Sequence, residues 1–199
     1  MWYGQTVLSK SDWLQAGLEV VAHEGPNGLR IDRLCQRLGV SKGSFHHHFA
    51  GASDFKRSLL AAYETLVVEA LDQAIDQTAA DTPKAALAGL TADITGNGSQ
   101  SFYRPELEVA MRAWAFSDSE VRAVQQRVDQ RRLESLRGIW SRILDDPAAA
   151  HTAALLPYLV GIGASLVQPP TPRDELQRIY ELLLRLVPDG GQQKPAKKT

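Results

Sequence analysis

Three consecutive histidines, His46-His47-His48, are the densest set of metal-ligating residue types in the chain. A metal site needs ligands that converge on one point. Neighbouring residues on an α-helix point about 100° apart, so three in a row do not converge. No cysteine or carboxylate stands four residues beyond any of them to help. Cys35 is the single cysteine, which excludes an intrachain disulfide and a multi-cysteine metal site. Its place on an apolar helical face reads as core packing. Gly161-Ile162-Gly163 has glycine spacing but sits in an apolar helical stretch with no strand before it, so the context of a phosphate loop is missing. No serine lies in a nucleophile elbow, and His151 is the one histidine beyond the N-terminal region. The expectation is no enzyme activity, no metal and no cofactor.

Composition narrows the remaining classes. The 199 residues carry 22 Lys and Arg against 23 Asp and Glu, a net charge of −1. Bulk positive charge therefore does not hold this protein to nucleic acid, and any anion binding must come from a local patch. Apolar residues at 44% and charged residues at 23% are a globular balance. No uninterrupted apolar run is read as approaching the roughly 18 residues of a membrane span. Met1–Gln5 has neither a basic nor an apolar region of an export signal. A cytoplasmic protein that does not engage membranes is expected.

The elements that position these residues read as helix after helix. Trp13, Ala16, Gly17, Val20 and Val21 lie on one face of a helix over about 10–24, ended by Gly25-Pro26. Ile31, Leu34, Cys35 and Leu38 repeat the spacing in a short helix stopped by Gly39. The Ser41 hydroxyl is placed to cap a third helix at about 42–47. A long fourth helix follows Gly51, capped there or at Ser53, and runs to about Ala79. Thr82-Pro83, Asp146-Pro147 and Thr171-Pro172 each put a capping oxygen before a proline at the first helical position. Ser117-Asp118-Ser119-Glu120 reads as a capping box. Further helices are predicted near 83–94, 105–116, 119–144, 147–168 and 172–187, with a loop at 95–101. The tail 188–199 is expected to be disordered.

Ile31–His48 carries the sharpest signal. Two short helices flank Gly39-Val40-Ser41, the turn of a helix-turn-helix, whose second helix enters the major groove. That helix is too polar to be core. Gly43 costs about 1 kcal/mol of helix propensity against alanine, and is explained if DNA backbone approaches closely there. Residues 1–57 hold seven Lys and Arg against five acids, a local charge of only +2.

From Trp13 to Phe55 the chain resembles the TetR family of bacterial transcriptional regulators, through WLQAGLEVVAHEG (13–25) and LGVSKGSFHHHF (38–49). The resemblance implies that Ser41 and Lys42 contact phosphate and that Gly43 permits close approach. It implies that Ser44 and Phe45 face base edges, with Phe45 reaching a thymine methyl. His46, His47 and His48 would reach phosphates or bases, although the family more often has tyrosine where His46 stands. Arg30 is read as a phosphate contact. Asp32 opposes DNA unless it pairs with Arg33 or accepts from a cytosine amino group. The family tends to carry lysines where this chain has Ala50 and Ala52, and Lys56 and Arg57 are read as partial replacements. Phe49 is read as core.

The resemblance also implies an all-α protein of about nine helices. Its parts would be a helix-turn-helix domain at 1–55, a ligand-binding and dimerisation domain at 56–187, and the tail. Family members bind a small molecule among the middle helices. Candidates here are Tyr63, Met111, Trp114, His151 and Tyr158, each equally readable as ordinary packing, within an aromatic group that includes Phe102, Tyr103, Phe116 and Trp140. Arg104, Arg112 and Arg122 are read either as favouring an anionic ligand or as plain surface charge. The last two helices carry more apolar surface than one core needs. A two-subunit four-helix bundle is implied through Leu159, Gly161, Ile162, Ser165, Ile179, Leu183 and Leu186. The expected function is a homodimeric DNA-binding regulator, a repressor released from a palindromic operator by a small molecule. Ala50, Ala52 and the low charge motivate an alternative, a helical interaction module that has lost specific operator binding. A small helical enzyme rests only on the aromatic group.

Overall fold

The computed structural model describes residues 8–77, 82–96 and 104–187. Among them the chain is all-α, with nine α-helices, one short 3-10 turn and no strand. The helices are α1 (Lys10–Glu24), α2 (Ile31–Leu38), α3 (Lys42–His48), α4 (Ala52–Gln77), α5 (Pro83–Thr95), α6 (Pro105–Ser117), α7 (Ser119–Trp140), α8 (Pro147–Leu166) and α9 (Arg173–Arg185). The expected α4 end near Ala79, the loop beyond Gly96, Phe102, Tyr103 and the tail lie outside the described residues.

Most boundaries follow local signals. Ser9 and Asp12 form a reciprocal capping box at the start of α1. Thr82 Oγ1 accepts from the Ala85 amide, and Asp146 Oδ1 from the Ala148 amide, as the sequence predicts. Four expectations are corrected. Asp118, not Ser117, caps α7 by accepting from the Glu120 and Val121 amides. Ser41 has the extended backbone of a cap, but its hydroxyl makes no capping bond. Pro172, not Thr171, is the residue that precedes α9, because the Thr171 amide instead donates back to the Ala164 carbonyl. Helix α7 ends at Trp140 rather than near 144. Its continuation tightens into bonds from Arg142 to Ile139 and from Ile143 to Trp140, and Pro147 holds Asp146 extended, out of helical geometry.

The chain divides into two compact units: Met1–Val67 with Arg104–Val128, and Val68–Tyr103 with Asp129–Thr199. The first unit has one continuous core. Trp13, Val21, Leu34, Phe45, Phe49, Leu59, Tyr63, Met111, Val121 and Val128 are all but fully enclosed. Gly17 lets α1 and α4 close, since a Cβ there would lie 2.8 Å from Phe55 Cζ and 2.9 Å from Leu59 Cδ1. Ion pairs tie the helices of this unit at its margins. Arg104 bonds Glu19 of α1, and Arg127 grips Glu64 with two bonds of 2.7 Å.

Lys56 donates to Asp118 at 2.6 Å and to Glu120 at 2.7 Å, and lies over the Trp114 ring. Its hydrogen bond holds the Asp118 carboxyl below the usual carboxylate range. For Lys56 itself, burial pulls downward, but its bonds to Asp118 and Glu120 outweigh burial and raise its pKa. A lowered carboxylate contributes stability that is full above the unfolded value of about 3.9 and is lost as the pH falls through the folded value. The raised amine loses its share only at strongly alkaline pH. Lys56→Met should therefore cost about 1 kcal/mol near neutrality. In urea titrations from pH 5 to pH 2 the variant should lose stability less steeply than the wild type. Parallel curves would assign the pair no role.

The second unit packs α5 against α9 and α8 against α9. Leu71, Ala86, Leu87, Leu90, Ile139 and Val187 form one cluster, and Ala164, Leu176 and Tyr180 another. The Tyr180 hydroxyl donates to the Pro157 carbonyl at 2.9 Å. A Cβ on Gly161 would sit 2.9 Å from that hydroxyl, so glycine admits the ring. Helix α8 is uncharged over its 20 residues, with a mean hydropathy of 1.4. By length and composition alone it is long and apolar enough to span a membrane, although His151, Thr152, Pro157 and Tyr158 interrupt its apolar run, as the sequence reading has it.

Candidate nucleic-acid interface

The candidate site is built on the turn between α2 and α3. Gly39 has φ 68° and ψ 29°, the left-handed conformation. It lets the Val40 amide close on the Cys35 carbonyl at 3.0 Å and the Gly39 amide on Gln36 at 3.3 Å, a Schellman ending. Nothing lies within 4 Å of a Cβ built there, so the cost of a side chain is backbone strain alone. Gly39→Ala should destabilise the fold by about 1–2 kcal/mol, read as a lowered urea midpoint with an unchanged slope.

Helix α3 has two unlike faces. Phe45 is 0% exposed and Phe49 2%. The Phe45 ring meets Trp13 edge-on at 5.4 Å, Phe49 at 5.2 Å and Phe55 at 5.6 Å. This corrects the expectation that Phe45 reaches a thymine methyl, because all of its surface is spent anchoring α3 to α1 and α4. Ser41, Lys42, Gly43, His46 and His47 are exposed, and Ser44 and His48 are half-buried. His48 Nε2 lies 2.9 Å from the Leu8 carbonyl, a bond it makes as the donor, so its ring is tied to the chain entering α1. A Cβ on Gly43 would meet nothing nearer than Ser41 Oγ at 3.5 Å, so no internal contact demands glycine there. Arg30 is exposed at the start of α2 without a capping bond.

The cations are less free than their positions in sequence imply. Lys42 Nζ lies 2.6 Å from Asp32 Oδ1, with both side chains on the surface. The hydrogen bond lowers the Asp32 carboxyl and raises the Lys42 amine. Asp32 thus pairs with Lys42, not with Arg33. Lys56 is committed to Asp118 and Glu120 and does not replace the lysines missing at 50 and 52. Arg57 remains exposed, 3.5 Å from Asp54. Gly51 precedes α4, its carbonyl accepting from Phe55 at 3.0 Å, while Asp54 reaches back to the Ala50 amide. The link from Lys42 to Asp32 crosses a turn, and no helical spacing in the sequence announces it.

The five effector candidates are divided between the two units. Tyr63, Met111 and Trp114 share the core of the first unit, where the Tyr63 hydroxyl donates to Gln125 at 3.0 Å. His151 is exposed and Tyr158 half-buried in the second unit, with the Tyr158 hydroxyl bonded to Asp129 at 2.7 Å. Arg104, Arg112 and Arg122, read either as favouring an anionic ligand or as plain surface charge, are bonded within the chain: Arg104 to Glu19, Arg112 to the buried Glu108, and Arg122 to the Ala115 and Phe116 carbonyls. Phe116, a member of the aromatic group read from the sequence, is 85% exposed.

The residues assigned to association also divide. Gly161 and Ser165 are buried inside the second unit, with Gly161 beside Tyr180 of α9, so neither is available to a partner. Ile162, Ile179 and Leu183 are half-buried. Leu159 and Leu186 are exposed, joined by Leu156, Leu166, Val167 and Leu182.

Residues 14–62 match the model of bacterial regulatory proteins of the tetR family. The transcriptional regulator AcuR of Cereibacter sphaeroides is 36% identical over 67 residues, covering 34% of this chain. That match spans about a third of the relative, 31% of its length. A transcriptional regulator from Rhodococcus sp. Rha1 superimposes with a TM-score of 0.72 at 18% identity, over 94% of this chain and 100% of that one. A regulator from Saccharomonospora viridis, solved in complex with choline, gives 0.72 at 15% identity, over 88% and 95%. At these identities the structural likeness is one of fold.

Proposed function

We propose, from the match of residues 14–62 to the model of the tetR family of bacterial regulatory proteins, that the chain is a sequence-specific DNA-binding transcriptional regulator of that family. It acts in the cytoplasm as a homodimer on a palindromic operator, as a repressor that a small molecule releases. The observation that carries this reading is the division of α3. Phe45 and Phe49 lock one side into the core while Lys42, Gly43, His46 and His47 stand on the other. A short helix held rigidly with its polar side outward is what major-groove reading requires. Arg30, Ser41, Ser44 and His48 complete the proposed contact set. His48 would present only the edge its bond to Leu8 leaves open.

The exposed apolar residues of α8 and α9 support association with a second copy. For the effector, the buried Tyr63 hydroxyl and Gln125 are polar groups set in apolar surroundings, the composition of a ligand site. The choline in the Saccharomonospora relative motivates the search for a small-molecule effector, not its identity. An effector releases DNA only by preferring the DNA-incompetent state, and a coupling of about 1–3 kcal/mol gives 5- to 150-fold relief.

Site selection from random duplex DNA at about 0.15 M salt tests the reading. An enriched palindrome with half-site centres about 34–36 Å apart is the expected result. An unenriched pool, with residual binding unchanged in His46→Ala/His47→Ala, overturns it. That outcome favours the interaction module, for which the engagement of Lys42 and Lys56 within the chain already speaks.

A further inference from the structure

We propose that Asp32 is an internal competitor for DNA phosphate, a carboxylate that occupies Lys42 and so lowers the affinity of this head for DNA in general. The inference rests on the DNA-binding reading above. Lys42 is the one lysine on α3 and opens the helix; on the DNA-binding reading it is the residue that meets phosphate. Its Nζ is 2.6 Å from Asp32 Oδ1, across the turn from the first turn of α2. Any phosphate that binds Lys42 must displace this carboxylate or accept it as a neighbour of like charge.

The loss of one cation matters because the head has few. Residues 1–57 carry a net charge of only +2, and Lys56 is already held by Asp118 and Glu120. Non-specific affinity is set almost wholly by the number of phosphates neutralised. A pair that silences one of a handful of cations therefore removes a large share of that affinity. Arg30, two residues before Asp32 at the start of α2, is the cation left to balance it when Lys42 moves away. Asp32 thus lowers the affinity of the head for the phosphate backbone without touching a base.

The test measures binding of the full chain to a random-sequence duplex between about 50 and 200 mM salt, for the wild type, Asp32→Asn, Lys42→Met and the double variant. Glu106→Gln, an equal change of charge at an exposed site on α6, is the control. Asp32→Asn should bind about three- to ten-fold more tightly at the low-salt end. Its plot of log affinity against log salt should be steeper by about 0.9, the release of one more counterion. Lys42→Met should change little in the wild type and should abolish the gain in the Asp32→Asn background. Equal slopes for the wild type and Asp32→Asn overturn the proposal, as does a matching gain in Glu106→Gln. Weaker binding by Asp32→Asn also overturns it and makes Asp32 a base reader. If no form shows salt-dependent binding, the DNA-binding reading falls and this proposal with it.

Discussion

Phe45→Ala should destabilise the protein by about 3–5 kcal/mol, the ordinary cost of removing a buried phenylalanine ring. That is a large part of the 5–15 kcal/mol that holds a typical domain. The ring is wholly enclosed and touches Trp13, Phe49 and Phe55, so its loss opens a cavity where α1, α3 and α4 meet. Each of those neighbours is itself rigid and buried, which limits relaxation into the void. Urea unfolding followed by circular dichroism reads the loss directly. Phe45→Leu should recover much of it, since volume is largely restored. A ring that read thymine would behave otherwise. Its truncation would leave the urea midpoint in place and change only which operator sequences are selected, and that pattern would return Phe45 to the DNA surface.

On the proposed homodimer, Leu182→Glu combined with Leu186→Glu should convert dimer to monomer. The two leucines are 58% and 74% exposed and lie four residues apart, Leu182 in the last turn of α9 and Leu186 at its C-cap. Each dimer would bury four carboxylates against an apolar surface, and unpaired buried charge is strongly unfavourable. A rise in the dimer dissociation constant of at least about a thousand-fold is expected, corresponding to roughly 4 kcal/mol. Sedimentation equilibrium distinguishes the two masses. Because both side chains point away from the core of the second unit, the circular dichroism spectrum should not change. Retention of the dimer would remove this face from the interface. With one head per molecule, the monomer should also lose selectivity for paired half-sites while keeping weak, salt-sensitive binding.

Helix boundaries were legible in the sequence wherever the signal is local. Gly39 stops α2, and Thr82-Pro83 and Asp146-Pro147 open α5 and α8, because capping and backbone preference act within about four residues. The apolar spacing of Leu34 and Cys35 likewise marked the buried face of α2. Where two local signals competed, the reading slipped by a residue, as between Ser117 and Asp118 or Thr171 and Pro172. The helix-turn-helix was legible for the same reason, since a glycine-bearing turn between two short amphipathic helices is a local pattern.

Side-chain partners obey a different rule. Phe45 has the same neighbours in sequence whether it faces a base or Trp13. Only the packing of α1 and α4 around it selects the second. Lys42 and Asp32 are ten positions apart and Lys56 and Asp118 sixty-two, so their pairing follows from how helices are brought together and not from any period along the chain. Gly161 and Leu159 stand two residues apart on one apolar helix. Tyr180 of α9 covers the first and leaves the second exposed. The sequence alone thus determined an all-α chain with a helix-turn-helix at 31–48, because backbone preference and amphipathic periodicity are short-range. The tertiary structure decided which of its aromatic, charged and small residues face outward, because burial and ion pairing depend on segments far apart in the chain.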